Sequence, residues 1–189
     1  MNVDSLFYEY LHTRPIDVGG GRQFRDVDSW IMARKRAYKE YREKLYPEKL
    51  NDSKWVVKNY ENWLLFKNNL SWTTLHRTGY FASEHPKRLA NLLSVLQNED
   101  IDISERVYRG LKGKNKVYGI GQGILTALLH TFFNEKYGVW NSRTEKTLEI
   151  LRRRSIRVLY SQHIGERYRS VNTELRQLVA RAKKMLLKP

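Results

Sequence analysis

Helical periodicity runs through almost the whole chain, and it constrains the fold more than any other feature. Apolar residues recur at three- and four-residue spacing from residue 27 to residue 186, with basic residues largely between them. This is the pattern of helices that bury one face. No segment shows the alternation of a half-buried strand. The pattern therefore predicts an all-α fold of about seven to nine helices around one core.

Helix breakers and capping residues predict where the individual helices begin and end. Residues 1–12 have the pattern of a short helix, and Gly19–Gly21 form a flexible break, so residues 1–21 are interpreted as an N-terminal arm and residues 22–189 as one helical domain. Within that domain we expect helices from Val27 to before Pro47, from the N-cap Ser53, from Pro86, from Ser104 to Leu111, from Gly121 to Phe133, from Ser142, and from about Val171 to residue 187.

Composition excludes several classes of protein. The chain of 189 residues has no cysteine, which rules out disulfides, thiolate metal sites and iron–sulfur clusters and is typical of a reducing, intracellular setting. No apolar run approaches the length of a membrane span, and the first residues lack the pattern of a secretory signal. Because the histidines show no metal-ligand spacing, we expect no side-chain metal site. We expect a cytoplasmic monomer without a cofactor.

The net charge of +15 favours a polyanionic partner, and nucleic acid is the commonest one. Residues 151–189 contain eleven basic and two acidic residues, so most of the excess lies near the C-terminus. Arg152, Arg153 and Arg154 are candidate phosphate contacts within this region, although an arginine run can also be a plain solvated face.

A Gly-Ile-Gly turn, at Gly119 and Gly121, opens an apolar predicted helix. Glycine allows a tight backbone turn, and the N–H groups of the turn and of Gln122 and Gly123 then form a partly positive anion site. Lys112, Lys114 and Lys116 precede this turn and would add salt-dependent affinity. The segment predicts a phosphate-binding site, with an ordinary turn as the alternative.

Polar and aromatic residues gather in a second place, after the helix that begins at Ser53. Asn68, Asn69, Trp72 and Thr73 suit a pocket that stacks and hydrogen-bonds a base, or a wedge that fills the gap a base leaves. The alternative is an ordinary loop between two helices.

Asn141 lies twenty residues after Gly121, at the start of a predicted helix where its amide and the helix dipole can face a ligand. Alternatively, Asn141 or Ser142 only caps that helix. Trp140 is a candidate for the base pocket, but a core position is the simpler interpretation. Glu145 follows Ser142 at capping-box spacing.

The stretch from Gly119 to Asn141 resembles the hairpin-to-aspartate segment of the endonuclease III-like superfamily of DNA glycosylases. The resemblance rests on Gly119-Ile120-Gly121 with Thr126-Ala127, followed by Val139-Trp140-Asn141. It implies a two-lobed fold with a helix-hairpin-helix motif at about residues 104–133. It also implies a protein that flips a damaged, mismatched or modified base out of duplex DNA and hydrolyses its glycosidic bond. A K⁺ or Na⁺ ion on the backbone carbonyls near Gly119 and Gly121 would accompany such a hairpin.

Two departures from that family alter the expected chemistry. Asn141 falls on the position of the essential aspartate, and a neutral amide neither stabilises the positive charge on the sugar nor acts as a base. Gly123 falls on the position of the lysine of bifunctional members, which excludes Schiff-base chemistry there. Glu145 is a candidate replacement carboxylate.

Three functions remain open at this point. The first is a monofunctional DNA N-glycosylase of base-excision repair, with Asn141 and Glu145 as catalytic candidates. The second is a non-catalytic reader of modified, distorted or abasic duplex DNA. The third is a basic RNA- or ribosome-associated structural protein, for which the glycine turn would be coincidental.

Overall fold

The computed structural model describes residues 9, 12, 15–17, 23–68, 78–152 and 163–186, and the all-α prediction is confirmed for them. Two-residue strands β1 (Ile16–Asp17) and β2 (Gln23–Phe24) pair antiparallel, a small sheet that the periodicity did not predict. Short 3-10 helices cover Pro47–Lys49 and Tyr80–Glu84. The α-helices are α1 Val27–Lys44, α2 Ser53–Asn68, α3 Pro86–Gln97, α4 Ile103–Leu111, α5 Gln122–Phe132, α6 Ser142–Arg152 and α7 Ile164–Leu186.

Most predicted boundaries agree with the structure to within a residue or two, because the caps act as expected. The Asp26 carboxylate accepts the Ser29 N–H at 2.8 Å at the start of α1, and Pro86 is the first residue of α3. One cap was assigned to the wrong residue. Ser53 is already helical, and the Asp52 carboxylate before it accepts the N–H groups of Lys54 and Trp55. Both residue types cap helices well, so the pattern alone placed the cap one position late.

The start of α7 was predicted seven residues too late. The helix begins at Ile164 rather than near Val171, and it includes Gly165, which resembles a helix breaker in the sequence. In the structure a side chain at Gly165 would collide with the Ser104 carbonyl of α4. Glycine at position 165 therefore lets the backbone of α7 pack directly against the backbone of α4. Local helix propensities do not reveal such a contact.

A single apolar core joins α2–α7. Its centre is α5, nearly all of whose residues are buried, with α1, α3 and α4 packed around it. The indole N–H of Trp63 on α2 donates to the Thr131 hydroxyl of α5 at 2.9 Å, so the largest buried side chain also satisfies its polar atom. The fold thus holds the segment before α5 on a rigid support.

The N-terminal arm lies mostly outside the described residues. Glu9 and His12 are helical, the short helix expected over residues 1–12 stays a prediction, and the glycine break at residues 19–21 is not among the described positions. No helix in the described ranges is both long enough and apolar enough to cross a membrane.

Candidate nucleic-acid interface

The connection between α4 and α5 ends in a tight turn whose two flanks are buried. Val117 and Ile120 both lie in the core, and the Ile120 N–H donates to the Val117 carbonyl at 3.2 Å. Gly119, the third residue of this turn, has a φ of 86°, a conformation that favours glycine. The turn is therefore held at both ends and exposes only its corner.

The two glycines of the turn have different roles. A side chain at Gly119 would collide with the Thr78 carbonyl and crowd Phe81, so this glycine allows the turn to pack against the segment that leads into Tyr80–Glu84. At Gly121 the backbone is extended, the residue is exposed, and a Cβ would have no neighbour within 4 Å. Gly119 is required for packing, whereas Gly121 keeps an open surface.

Gly121 is the N-cap of α5, and among the described residues no side chain caps the helix there. Its carbonyl accepts the first helical hydrogen bond, from the Leu125 N–H at 2.9 Å, so the N–H groups of Gln122 and Gly123 precede the intrahelical ladder. Both residues are partly exposed. The start of α5 can therefore donate backbone hydrogen bonds to an anion.

The three predicted lysines lie in the connection that leads into the turn and α5. Lys112, Lys114 and Lys116 are all exposed, and within the described part of the chain none of them forms an ion pair. Their charges are therefore not neutralised locally and are available to a polyanion.

Asn141 is tied to the first turn of α5 through a buried threonine. The Thr126 hydroxyl accepts the Trp140 N–H and donates to the Gln122 carbonyl, each at 2.9 Å. In the sequence Thr126 is only part of a motif, and this role is not visible there. The Thr126 hydroxyl thus holds the backbone that leads into α6 against the first turns of α5.

Asn141 itself caps α6. Its side-chain oxygen accepts the Thr144 N–H at 2.9 Å, and its carbonyl accepts the Glu145 N–H. The capping box predicted at Ser142 and Glu145 is wrong, since the N-cap is Asn141, one residue earlier, and Thr144 occupies the position expected for Glu145. The capping alternative for Asn141 is therefore what the structure shows.

Glu145 and Trp140 form a partly buried cluster with α7. The indole N–H of Trp140 donates to the Glu145 carboxylate at 2.8 Å, and Arg167 of α7 lies 3.9 Å from the same carboxylate and over the indole ring. Trp140 is fully buried. It is a core residue, so the structure does not support it as a wedge or as a wall of an open base pocket. Glu145 is likewise occupied by structural contacts.

The remaining predicted site residues cannot be placed by their side chains. Asn68 and Arg152 end α2 and α6, but only their backbone is described. Asn69, Trp72, Thr73, Arg153 and Arg154 lie outside the described residues.

The backbone carbonyls near the turn are compatible with the predicted monovalent cation. Those of Val117 and Gly121 each accept one hydrogen bond, and a carbonyl oxygen has a second lone pair to offer. The ion stays a prediction.

Comparisons with known proteins return nothing similar: no family model, no curated protein and no solved structure matches this chain. The function of the protein is therefore inferred from the turn, its charges and their surroundings.

Proposed function

We propose that this protein binds DNA by holding a backbone phosphate at the turn before α5, as a helix-hairpin-helix module does. The observation that carries the proposal is the uncapped start of α5, where Gly121 leaves the N–H groups of Gln122 and Gly123 accessible. A phosphate oxygen supplies the acceptors that the start of this helix lacks. The three exposed lysines add attraction without fixing orientation.

The wider charge distribution supports a polyanionic partner. The whole chain carries +15, and basic residues on α7 are exposed over most of its length. A field of this sign accelerates encounter with DNA and strengthens binding at low salt. The exposed basic residues of α7 are Arg169, Arg176, Arg181, Lys183 and Lys184.

The described contacts favour recognition of DNA without excision of a base. Asn141 is neutral and uses its side-chain oxygen to cap α6, and Glu145 is held by Trp140 and Arg167. Neither side chain is poised to stabilise a sugar cation or to activate water. We therefore propose a reader of modified, distorted or abasic DNA.

Base excision in a two-lobed glycosylase fold is the second candidate. It is supported by the spacing between Gly121 and Asn141 and by the hydrogen bonds through Thr126 that join the two helix starts. Strand release from duplexes that carry damaged, mismatched or methylated bases, developed with alkali, separates the two. A product that disappears in Asn141→Ala would establish excision. Selective binding without product from any substrate would establish the reader.

Replacement of Gly121 by aspartate tests the phosphate site without disturbing the fold. The backbone there is extended and nothing lies within 4 Å, so the aspartate can cap α5 itself and raise its stability. The same carboxylate occupies the N–H groups and repels phosphate. We expect at least a tenfold loss of duplex affinity, measured by fluorescence anisotropy, with an unfolding midpoint equal to or above that of the wild type.

Two further variants control this experiment. Asn91→Asp makes the same change in net charge on the exposed face of α3 and should leave affinity within about twofold. Gly121→Asn caps the helix without a negative charge and should lose less affinity than Gly121→Asp. Equal affinity of Gly121→Asp and wild type for duplex DNA would exclude the phosphate site.

A further inference from the structure

An exposed aromatic pair lies on the turn itself. Tyr118 is 68% exposed and Phe81 39% exposed, and their ring centroids are 5.3 Å apart. Phe81 belongs to the 3-10 helix Tyr80–Glu84, which packs against Gly119. Neither residue was singled out in the sequence, because an isolated tyrosine between a valine and a glycine has no periodic pattern.

The turn holds Tyr118 outward. The residue lies between the buried Val117 and the Gly119–Ile120 end of the turn, whose closing hydrogen bond runs from the Ile120 N–H to the Val117 carbonyl. Gly119 cannot move away from Thr78 and Phe81 without losing its packing. The backbone of Tyr118 is therefore fixed by its neighbours, and its ring rests on Phe81 instead of entering the core.

The surroundings of this ring select one kind of partner. Exposed cations at Lys114 and Lys116 precede it in the chain, and the uncapped start of α5 follows it three residues later. A ring between phosphate-binding groups meets a nucleobase when the phosphate is bound, and base–aromatic stacking is tolerant of sequence. An apolar protein surface would leave the lysine charges without partners.

We infer that Tyr118, supported by Phe81, stacks on a base whose face is exposed in the bound DNA, and that it gives the protein a preference for gapped over intact duplex. In an intact duplex both faces of every base are covered by neighbours, so the ring has nothing to stack on. A one-nucleotide gap exposes a face next to a phosphate. This inference rests on the proposed phosphate site and adds the feature of the DNA that is recognised.

The test compares one matched duplex with the same duplex carrying a one-nucleotide gap, for four proteins: wild type, Tyr118→Ala, Tyr118→Trp and Gly121→Asp. We expect wild type to prefer the gapped DNA by at least about fivefold, the lower end of what one base stacked on an aromatic ring contributes. Tyr118→Ala should lose this preference while its affinity for the matched duplex stays within twofold. Tyr118→Trp should keep it, since indole stacks at least as well.

A spectroscopic signal gives an independent check. With 2-aminopurine beside the gap, wild type and Tyr118→Trp should change the emission of the probe on binding, and Tyr118→Ala should not. Because Tyr118 is exposed, its substitution should leave the thermal unfolding midpoint close to the wild-type value.

The failures of the two proposals are distinguishable. The stacking inference alone is overturned if Gly121→Asp abolishes binding but Tyr118→Ala keeps the preference for gapped DNA. The same holds if Tyr118→Ala lowers the affinity for both DNAs equally. If Gly121→Asp binds both DNAs as wild type does, or if wild type binds neither, the phosphate site is overturned and the stacking inference with it.

Discussion

At the scale of single residues, the fold depends on groups whose roles are invisible in the sequence. Arg106 reads as one more surface cation, yet it is buried, donating to the Leu96 carbonyl at 3.0 Å and to the Tyr137 hydroxyl at 2.6 Å. Its guanidinium also lies near the rings of Phe133 and Tyr137. By contrast, a histidine on a helix as apolar as α5 is more simply a hydrogen-bonded structural residue than a base, and the Nδ1 of His130 lies 2.6 Å from the Tyr137 carbonyl. Local chemistry predicts the role of His130 but not that of Arg106, because the partners of Arg106 come from distant segments.

Gly119→Ala should destabilise the protein strongly. The positive φ disfavours any L side chain, and the new methyl group would collide with the Thr78 carbonyl. We expect a loss of about 2–4 kcal/mol in the free energy of unfolding, measured by urea denaturation. Gly121→Ser, which can cap α5, should be as stable as wild type or slightly more so. Equal stability of Gly119→Ala and wild type would mean that the turn does not have this conformation.

At the scale of elements, the sequence predicts the positions of the helices along the chain better than the packing between them. A spacing of three or four residues defines one face of a helix, and the leucines of α3 that share this spacing (89, 92, 93 and 96) are all fully buried. The packing of α4 on α7 was not predicted. It depends on Gly165 against Ser104 and on Arg169 against Asp102, contacts between residues far apart in the chain.

Gly165→Ala should separate α4 from α7. Its methyl group would meet the backbone of Ser104, which cannot move aside without shifting the helix. We expect a loss of at least about 2 kcal/mol in unfolding free energy, measured by chemical denaturation. Gly138→Ala is the matched control, because its methyl group would meet only the flexible end of Leu175 and should cost clearly less. The reverse order of the two variants would contradict this helix packing.

The contact between α4 and α7 should also depend on pH. Hydrogen bonds from Ser104, together with Arg169, lower the pKa of Asp102 from 3.8 to about 2. A lowered pKa in the folded state stabilises the protein above pH 4, and this contribution disappears as pH falls from about 4 to 2. The stability difference between wild type and Asp102→Asn should therefore shrink over that range in denaturation experiments at a series of pH values. A constant difference would exclude the charged contact.

At the scale of the whole molecule, composition favours a polyanionic partner, and the structure shows where part of the charge lies. The lysines before α5 and the basic residues of α7 are exposed, as the net charge suggested. The role of Asn141 in a base pocket stays a prediction. A pattern of residues does not reveal that the Asn141 side chain caps α6 and that Glu145 contacts Trp140 and Arg167.

Salt dependence should report on the lysines quantitatively. Each of Lys112, Lys114 and Lys116 that contacts a phosphate should contribute close to one unit to the slope of log affinity against log salt concentration for duplex DNA. We expect replacement of all three by glutamine to lower that slope by about two to three units. Lys54→Gln, an exposed position at the start of α2, should leave the slope nearly unchanged. A triple variant with the wild-type slope would show that DNA is bound elsewhere.

The unequal surroundings of the two turn glycines also bear on how this chain can vary in nature. Thr78 and Phe81 leave no room at position 119, so chains that share this fold should keep glycine there whatever they bind. Position 121 is free of steric demand, and selection for stability alone would admit serine, aspartate or asparagine as a helix cap. Conservation of glycine at position 121 among divergent relatives would indicate that they bind a ligand there. Replacement of this glycine by a capping residue would indicate that a relative no longer binds the ligand.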